Sequence, residues 1–429
     1  MLELQADTNE QPAIAAAVEA ALVKKPAKVK AILDTTEPEK PLPLPMLLTA
    51  VQQRFGQSLP KVVTEIARLG FGSGRVSAEE YFDLRLFDEA SLNGANKHEF
   101  LGMRGCKYVG LTANHVEHWY ACVSNKIVFY TLMTGFGLPT IRTRAYYHPV
   151  NNLPALGLLR TPADVSNFLK FEDMMPMFGK PVNGSLSLGT VALEQYDRPE
   201  NMLVLSNGRR VTPEALAEEV VKAYPTGFLF QEKLVAHPEM QALVGNRIGT
   251  VRVYTFCQDG KPEIHRACWK VASGGNQADN FWRSGNMLAA FDYETGEIKR
   301  AIRGTGLNQV EVETHPDTNA KLVGAKLPLW DEVKKLALWA SHTCQNVPLI
   351  GWDIAVTDRG PVLVEANNTP DFRLAQMCER RGAYDQRMKD FLEHCIGQKN
   401  AGKKRRKSKS DDFRKKNINK VFGSLNKAA

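Results

Sequence analysis

Two carboxylates and one amide stand late in the sequence at a spacing that suits a divalent cation. The run Gly351-Trp352-Asp353-Ile354-Ala355-Val356 is followed by Pro361-Val362-Leu363-Val364-Glu365-Ala366-Asn367. Two apolar segments thus flank Asp358-Arg359-Gly360, and Gly360 supplies the positive φ that a short hairpin loop needs. A three-residue loop pairs Thr357 with Pro361 and sets Asp353 opposite Glu365. Side chains alternate along a strand, so Asn367 shares the face of Glu365. Like charges facing each other across a strand pair repel unless a cation lies between them. Hard oxygen donors of this kind suit Mg²⁺, which keeps waters and binds phosphates, with Mn²⁺ as the alternative ion. The competing reading is a polar strand facing solvent. The other face, Ile350, Trp352, Ile354, Val362 and Val364, is apolar and fit to pack.

A second group could handle phosphate. In Phe178-Gly179-Lys180-Pro181-Val182-Asn183-Gly184-Ser185-Leu186-Ser187-Leu188-Gly189, a lysine closes an apolar run and a loop of glycine and serine follows. Backbone N–H groups of such a loop can cradle phosphate, and the lysine adds a point charge. The G-K-[ST] signature of a Walker loop is absent, and an ordinary hairpin loop is the alternative.

The elements that must hold these groups are readable in outline. From about Phe100 onward strands and helices alternate. Thr161-Pro162 and Thr212-Pro213 read as N-caps followed by proline at the first helical position. The second opens a helix whose Ala217, Val220, Val221 and Tyr224 share a face. Two hairpins are expected, one turning at Gln258-Asp259-Gly260-Lys261 and the other being the carboxylate hairpin, preceded by the helix DEVKKLALWASHTC. Upstream, Ala-rich helical material spans residues 12–33, helical signals run from Met46 to Leu69, and Gly70-Phe71-Gly72-Ser73-Gly74 is a loop rather than a dinucleotide fingerprint, because a helix precedes it. It leads into a capping box at Ser77 and Glu80, opening a helix that carries Tyr81, Leu84 and Leu86.

Lysine before a glycine-rich loop, then the short strand Gln231-Glu232-Lys233-Leu234, then an aspartate followed by Glu-x-Asn on a hairpin, resembles the ATP-grasp superfamily. The branch it resembles is the sugar-transfer-associated, alpha-L-glutamate-ligase-related one, and the likeness spans roughly Phe100 to Cys395. The resemblance implies an α+β fold with a two-lobed ATP-grasp core (100–398, lobes hinged near 231–234); the helical signals ahead of it read as an N-terminal extension (1–99), and the low-complexity basic stretch after it reads as a disordered tail (399–429). It implies ATP and Mg²⁺ as cofactors. Asn125-Lys126, ahead of a helix and Gly135-Phe136-Gly137-Leu138-Pro139, looks like the family's opening motif and would make Lys126 a phosphate ligand. Lys180 would bridge the α- and β-phosphates, with Gly184 and Ser185 in the loop that closes over them. Gln231, Glu232 and Leu234 would read adenine at the hinge. Asp353, Glu365 and Asn367 would hold the metal. Arg252 and Lys270 would stabilise the transferring phosphoryl group or the acyl-phosphate oxyanion, and Asn280 would face the substrate; for these the alternative is ordinary strand-surface or loop residues.

Composition sets the bounds. The chain has 429 residues, 43% of them hydrophobic and 24% charged, ordinary for a globular protein and enough for about three domains or one large two-lobed enzyme. No apolar stretch reaches the roughly 18 residues of a membrane-spanning helix, and the polar, acidic start lacks a secretory layout. The net charge of +8 is concentrated: residues 402–429 carry eleven basic and two acidic side chains, which leaves the rest at −1. The tail reads as solvated, or as the binding element for an anionic partner, nucleic acid or lipid. Seven cysteines without a CxxC pair point to buried free thiols and a reducing, cytoplasmic setting.

The reaction implied is attack of a small-molecule carboxylate on the γ-phosphorus of ATP, giving an acyl phosphate that an amine or similar nucleophile then captures, in a role such as cell-envelope or exopolysaccharide metabolism. Two alternatives keep the nucleotide site: a kinase for a sugar or other small molecule, and an ATP-regulated binding protein docked through its basic tail.

Overall fold

The computed structural model describes residues 32–34, 42–150, 157–184, 188–274 and 279–402. Ser185, residues 1–31 of the Ala-rich N-terminal segment and the basic tail beyond residue 402 lie outside the described residues; Ile32 and Leu33 are not helical, and residues 399–402, expected to be disordered, continue the helix that begins at residue 386.

Two seven-stranded sheets carry the fold. The first is built from β1 (Thr143–Tyr147), β2 (Gly157–Leu159), β3 (Met177–Pro181), β4 (Val191–Asp197), β5 (Met202–Leu205), β6 (Arg210–Val211) and β7 (Phe228–Glu232), in the order β2-β1-β7-β3-β4-β5-β6. The second contains β8 (Thr250–Gln258), β9 (Lys261–Val271), β10 (Met287–Phe291), β11 (Ile298–Arg303), β12 (Val310–Glu311), β13 (Leu349–Thr357) and β14 (Gly360–Asn367), in the order β12-β11-β10-β9-β8-β13-β14.

Three apolar clusters follow from the faces of these sheets. One face of the first sheet buries Ala145, Leu193 and Phe230 under the helices Pro162–Leu169 and Pro213–Ala223. Both helices start as their sequences require: Thr161 accepts from the Asp164 N–H and Thr212 from the Ala215 N–H, at 3.1 and 3.2 Å. The other face joins one face of the second sheet around Trp269, Trp352 and the helix Trp330–Thr343. The remaining face of the second sheet packs Tyr254, Phe256 and Leu288 against Tyr81, Phe82, Phe100 and Val109 from the N-terminal helices and Phe391 from the C-terminal end. Residues on both sides of position 99 therefore belong to one apolar cluster.

The N-terminal half shows where local signals stop short. The capping box forms: Glu80 N–H donates to the Ser77 hydroxyl at 3.3 Å, and Ser77 N–H donates to the Glu80 carboxylate at 2.9 Å. The helix it opens ends at Asp83, because Arg85 takes a φ of 53°. Leu84 and Leu86 are buried beyond its end. The stretch Met46 to Leu69 is two helices, Leu44–Phe55 and Leu59–Phe71, broken at Gly56 with φ 63°. Gly74 lies in a loop where a Cβ would fall 1.9 Å from the Phe100 carbonyl oxygen, so the glycine serves backbone approach rather than a ligand.

Candidate functional site

The carboxylate hairpin arrives at its expected register by a different route. The turn is one residue tighter than the three-residue loop: Thr357 pairs with Gly360, whose φ is 95°, and Val356 pairs with Pro361. A bulge between Ile354 and Asp353 then inserts one extra residue on β14, and Asp353 faces Glu365 after all. Val364, the bulged residue, packs against the apolar cluster around Trp352 and also lines the cleft.

That cleft has a volume of ≈ 950 Å³. Every residue singled out for a site, apart from Ser185, lies on its wall: Lys126, Lys180 and Gly184; Gln231, Glu232 and Leu234; Arg252, Lys270 and Asn280; Asp353, Glu365 and Asn367. The first sheet supplies one side and the second sheet the other.

On the first side, the Asn125 side chain caps the helix Lys126–Gly135 by accepting from the Ile127 and Val128 N–H groups at 3.0 and 3.2 Å. Lys126 on that helix donates to the Gly184 carbonyl at 3.0 Å, tying it to the glycine-rich loop. Lys180 on β3 donates to the Tyr130 hydroxyl at 2.7 Å, and Tyr130 donates to the Val364 carbonyl at 2.6 Å. Burial lowers both lysines; Lys180 falls to about 8 even though Glu365 and Asp353 pull it upward.

On the second side, Asp353 is not a bare ligand. β13 lies against β8 with Asp353 opposite Arg252, and the guanidinium grips both carboxylate oxygens, Nε at 2.5 Å and Nη2 at 2.9 Å. Lys270 on β9 adds a contact of 3.1 Å. Burial would raise the Asp353 carboxyl, but the two cations outweigh it and hold it at about 2. Burial likewise pushes Lys270 down, and Asp279 and Asp353 overcome it, so the ammonium is kept. Glu365 and Asn367 have no side-chain partner among the described residues apart from the cleft, and Asn367 Nδ2 is buried without a hydrogen bond. Their free oxygens are the donors that fit Mg²⁺ best. Asp353 reaches the same place with its charge already countered. No cluster of three His, Cys, Asp or Glu side chains suited to a metal occurs among the described residues, and an Asp–Glu–Asn set contains only two such groups.

At the hinge, Gln231 is fully buried and donates to the Thr143 hydroxyl at 3.1 Å, while its amide oxygen has no partner. Glu232 is engaged structurally: its Oε1 accepts from the Arg142 N–H at 2.9 Å and from the Arg359 guanidinium at 2.5 Å. Arg359 lies in the β13–β14 turn, and Ala236 bridges Thr357. The strand leaving the first sheet is thereby stitched to the carboxylate hairpin.

Sequence reasoning missed three participants. Tyr130 lies four residues after Lys126 on one helical face, a spacing that would have brought it forward. Asp279, next to Asn280, anchors the Thr250 N–H at 2.7 Å and ion-pairs with Lys270 at 3.4 Å. Lys233 joins Glu194 and Ser206 on the cleft wall; β4 and the turn after β5 supply these two, and no local signal linked them to the hinge. The cysteines are free, six buried and Cys122 half-buried.

A family model described as sugar-transfer associated ATP-grasp matches residues 111–391. The chain belongs to the sugar-transfer associated ATP-grasp family. ATP-grasp enzymes use ATP and Mg²⁺, and the two-lobed sheet arrangement of this family member is the fold the sequence resemblance implied. No curated protein sequence matches it. Among solved structures it is similar to the L-amino acid ligase from Bacillus licheniformis (14% identity, 58% of this chain and 41% of the other, TM-score 0.31). It is also similar to the D-alanine-D-alanine ligase from Coxiella burnetii (12%, 68% and 63%, 0.39) and to the ATP-grasp ligase PsnB complexed with a minimal precursor, Mg and ADP (16%, 65% and 60%, 0.31). The chain matches less than two thirds of the length of each of these three. No helix among the described residues is long and apolar enough to cross a membrane.

Proposed function

We propose that this ATP-grasp protein is an ADP-forming ligase that activates a small-molecule carboxylate as an acyl phosphate and passes the acyl group to an amine or similar nucleophile. The observation that carries this reading is the opposition of charges across one cleft. Lys126 and Lys180 stand on one side, and Arg252 and Lys270, already paired with Asp353, stand on the other beside the free oxygens of Glu365 and Asn367.

A carboxylate and a triphosphate are both anions, so their approach needs fixed positive charge. Lys126 and Lys180, with the backbone of the glycine-rich loop, hold the phosphates. Glu365 and Asn367, with Asp353 behind them, would hold Mg²⁺, which when bound neutralises phosphate charge. The substrate carboxylate oxygen attacks the γ-phosphorus, and ADP leaves. Among the described residues Arg252 keeps Nη1 free of a hydrogen bond while Nε and Nη2 are spent on Asp353; Nη1 and Lys270 serve the developing charge on the transferring group and then on the acyl-phosphate carbonyl. The amine attacks that carbonyl carbon, phosphate leaves, and the amine's proton is lost. No protein nucleophile is required. The basic tail gives the enzyme a means of binding an anionic partner.

The test is ADP release from Mg-ATP across pooled carboxylates with and without pooled amines. ADP formation that needs both substrates supports a ligase, and ADP formation with a hydroxyl compound alone would make the protein a kinase. Glu365→Gln should lower turnover by roughly 10²-fold or more, on the scale of losing one preorganised electrostatic group. Full activity in that variant would remove the metal role.

A further inference from the structure

Away from the cleft, where the second sheet packs against the N-terminal helices, three arginines meet. Arg85 follows the short helix Ala78–Asp83, Arg300 stands on β11, and Arg380 ends the helix Arg373–Glu379. None of them lines the cleft among the described residues. Gln309, just before β12, ties two of them together. Its carbonyl accepts from Arg85 Nη1 at 2.7 Å, and its side-chain oxygen accepts from Arg380 Nη2. Arg85 also ion-pairs with Asp88 at 2.7 Å, and Arg300 with Glu311 at 3.1 Å. Among the described residues, three cations here share two carboxylates, and one positive charge stays uncountered.

The donors also outnumber their acceptors. Arg380 is 5% exposed and Gln309 3%, yet Arg380 Nε and Nη1, Gln309 Nε2 and Arg85 Nε are buried without a hydrogen bond. Buried polar groups nearly always have a partner, and leaving one without costs its full desolvation. All of these atoms are donors, and a guanidinium has no acceptor to offer its neighbours. A water would accept from only part of the set and would still have its own protons to place. Burial, with Arg85 and Arg300 alongside, pushes the Arg380 guanidinium down to about 10, so its charge is kept against its surroundings. Arg85 and Arg380 have φ of 53° and 57°, a region that long side chains avoid. Both guanidinium groups thus reach Gln309 from unusual backbone.

We propose that Arg85, Arg300, Gln309 and Arg380 form a second anion site, separate from the nucleotide cleft, that takes inorganic phosphate or a similar small tetrahedral oxyanion. Such an ion supplies acceptors in several directions and the missing negative charge together. Arg380 and Gln309 make its buried floor. Arg300 and Glu311, with side chains 30% and 57% exposed, stand on the solvent side. The arriving anion competes with the Glu311 carboxylate for Arg300 and takes its place.

The test is the phosphate-linked stability of the full chain, which needs no turnover and is independent of the ligase reading. Phosphate is compared with chloride at equal ionic strength. At about ten times its dissociation constant, phosphate should raise the thermal midpoint by roughly 2–4 °C. Arg380→Asn removes the guanidinium and places a residue that tolerates the left-handed backbone; the rise should vanish. Lys180→Ala, which alters the cleft, should keep it. Isothermal titration of phosphate should show about tenfold weaker binding in Arg300→Gln. That measurement decides should the Arg380 variant misfold. A shift from glycerol phosphate equal to that from the free ion supports the site with an ester as its source. No rise in the native chain, a rise that survives in Arg380→Asn, or native affinity in Arg300→Gln overturns the site.

Discussion

At the scale of single residues, the site is organised by how each charge is kept or given up. Asp353 and Lys180 sit at comparable depth and go in opposite directions. Asp353 has Arg252 and Lys270 in contact, so burial loses to two cations and the carboxyl is held at about 2. Among the described residues Lys180 has only a neutral phenol within hydrogen-bond reach, so burial wins and the ammonium gives up its proton at about 8. The consequence is a pH dependence of nucleotide binding. Phosphate favours the charged lysine. Below about 8 the ammonium is already present, and affinity is at its full value. Above it, binding must first take up a proton, so the dissociation constant of Mg-ADP rises with pH, by at most roughly tenfold per unit. Isothermal titration from about pH 7 to 9.5 should show this rise in the native protein and a shallower one in Lys180→Arg, since a guanidinium stays charged throughout and only Lys126, also lowered by burial, still titrates. A flat native profile would count against contact between Lys180 and phosphate. The spacing of Asp353, Glu365 and Asn367 was legible from strand alternation alone. The Arg252–Asp353 pair was not, because it depends on which strand lies beside β13, and 101 residues separate the two.

At the scale of elements, local rules gave the right neighbours and sometimes by cancelling errors. The hairpin turn is one residue shorter than the loop chemistry suggested, and the bulge at Val364 adds one back. Turn residues are visible in a sequence, whereas a bulge answers to packing on both faces of β14. Glu80 shows the same limit. Its role as third residue of a capping box is plain in the sequence, but its carboxylate also accepts from the Met103 N–H at 2.6 Å and from Arg373 at 3.2 Å. Those contacts join two N-terminal helices to the segment after the carboxylate hairpin. Glu80→Ala therefore removes more than a cap. We expect a loss of about 2 kcal/mol, beyond the roughly 1 kcal/mol of a cap alone, because the Met103 N–H loses its acceptor and the Arg373 guanidinium loses one of its two carboxylate partners, keeping Asp371. Chemical denaturation checks it, and a loss no larger than that of Ser77→Ala would mean that the Met103 and Arg373 contacts contribute nothing.

At the scale of the whole molecule, charge and structure are divided along the chain. The sequence up to residue 401 carries a net −1 and residues 402–429 carry +9. Every cleft residue comes from the near-neutral part, which arranges its own cations in pairs with carboxylates, as at Arg252–Asp353 and Arg266–Glu379. The C-terminal helical stretch 386–402 is anchored in the core through Met388, Phe391, Leu392 and Cys395, each buried. The described apolar clusters and cleft wall are drawn from residues up to Cys395. A chain ending at residue 402 should accordingly keep the thermal midpoint and the Mg-ADP dissociation constant of the full chain. It should lose retention on a polyanion matrix, and the full chain's retention should fall steeply with salt, as expected when several cations displace counterions. Calorimetry, titration and a salt gradient on heparin test the three parts separately. A changed nucleotide affinity on truncation would mean that the tail reaches the cleft and that the division of labour along the chain is wrong.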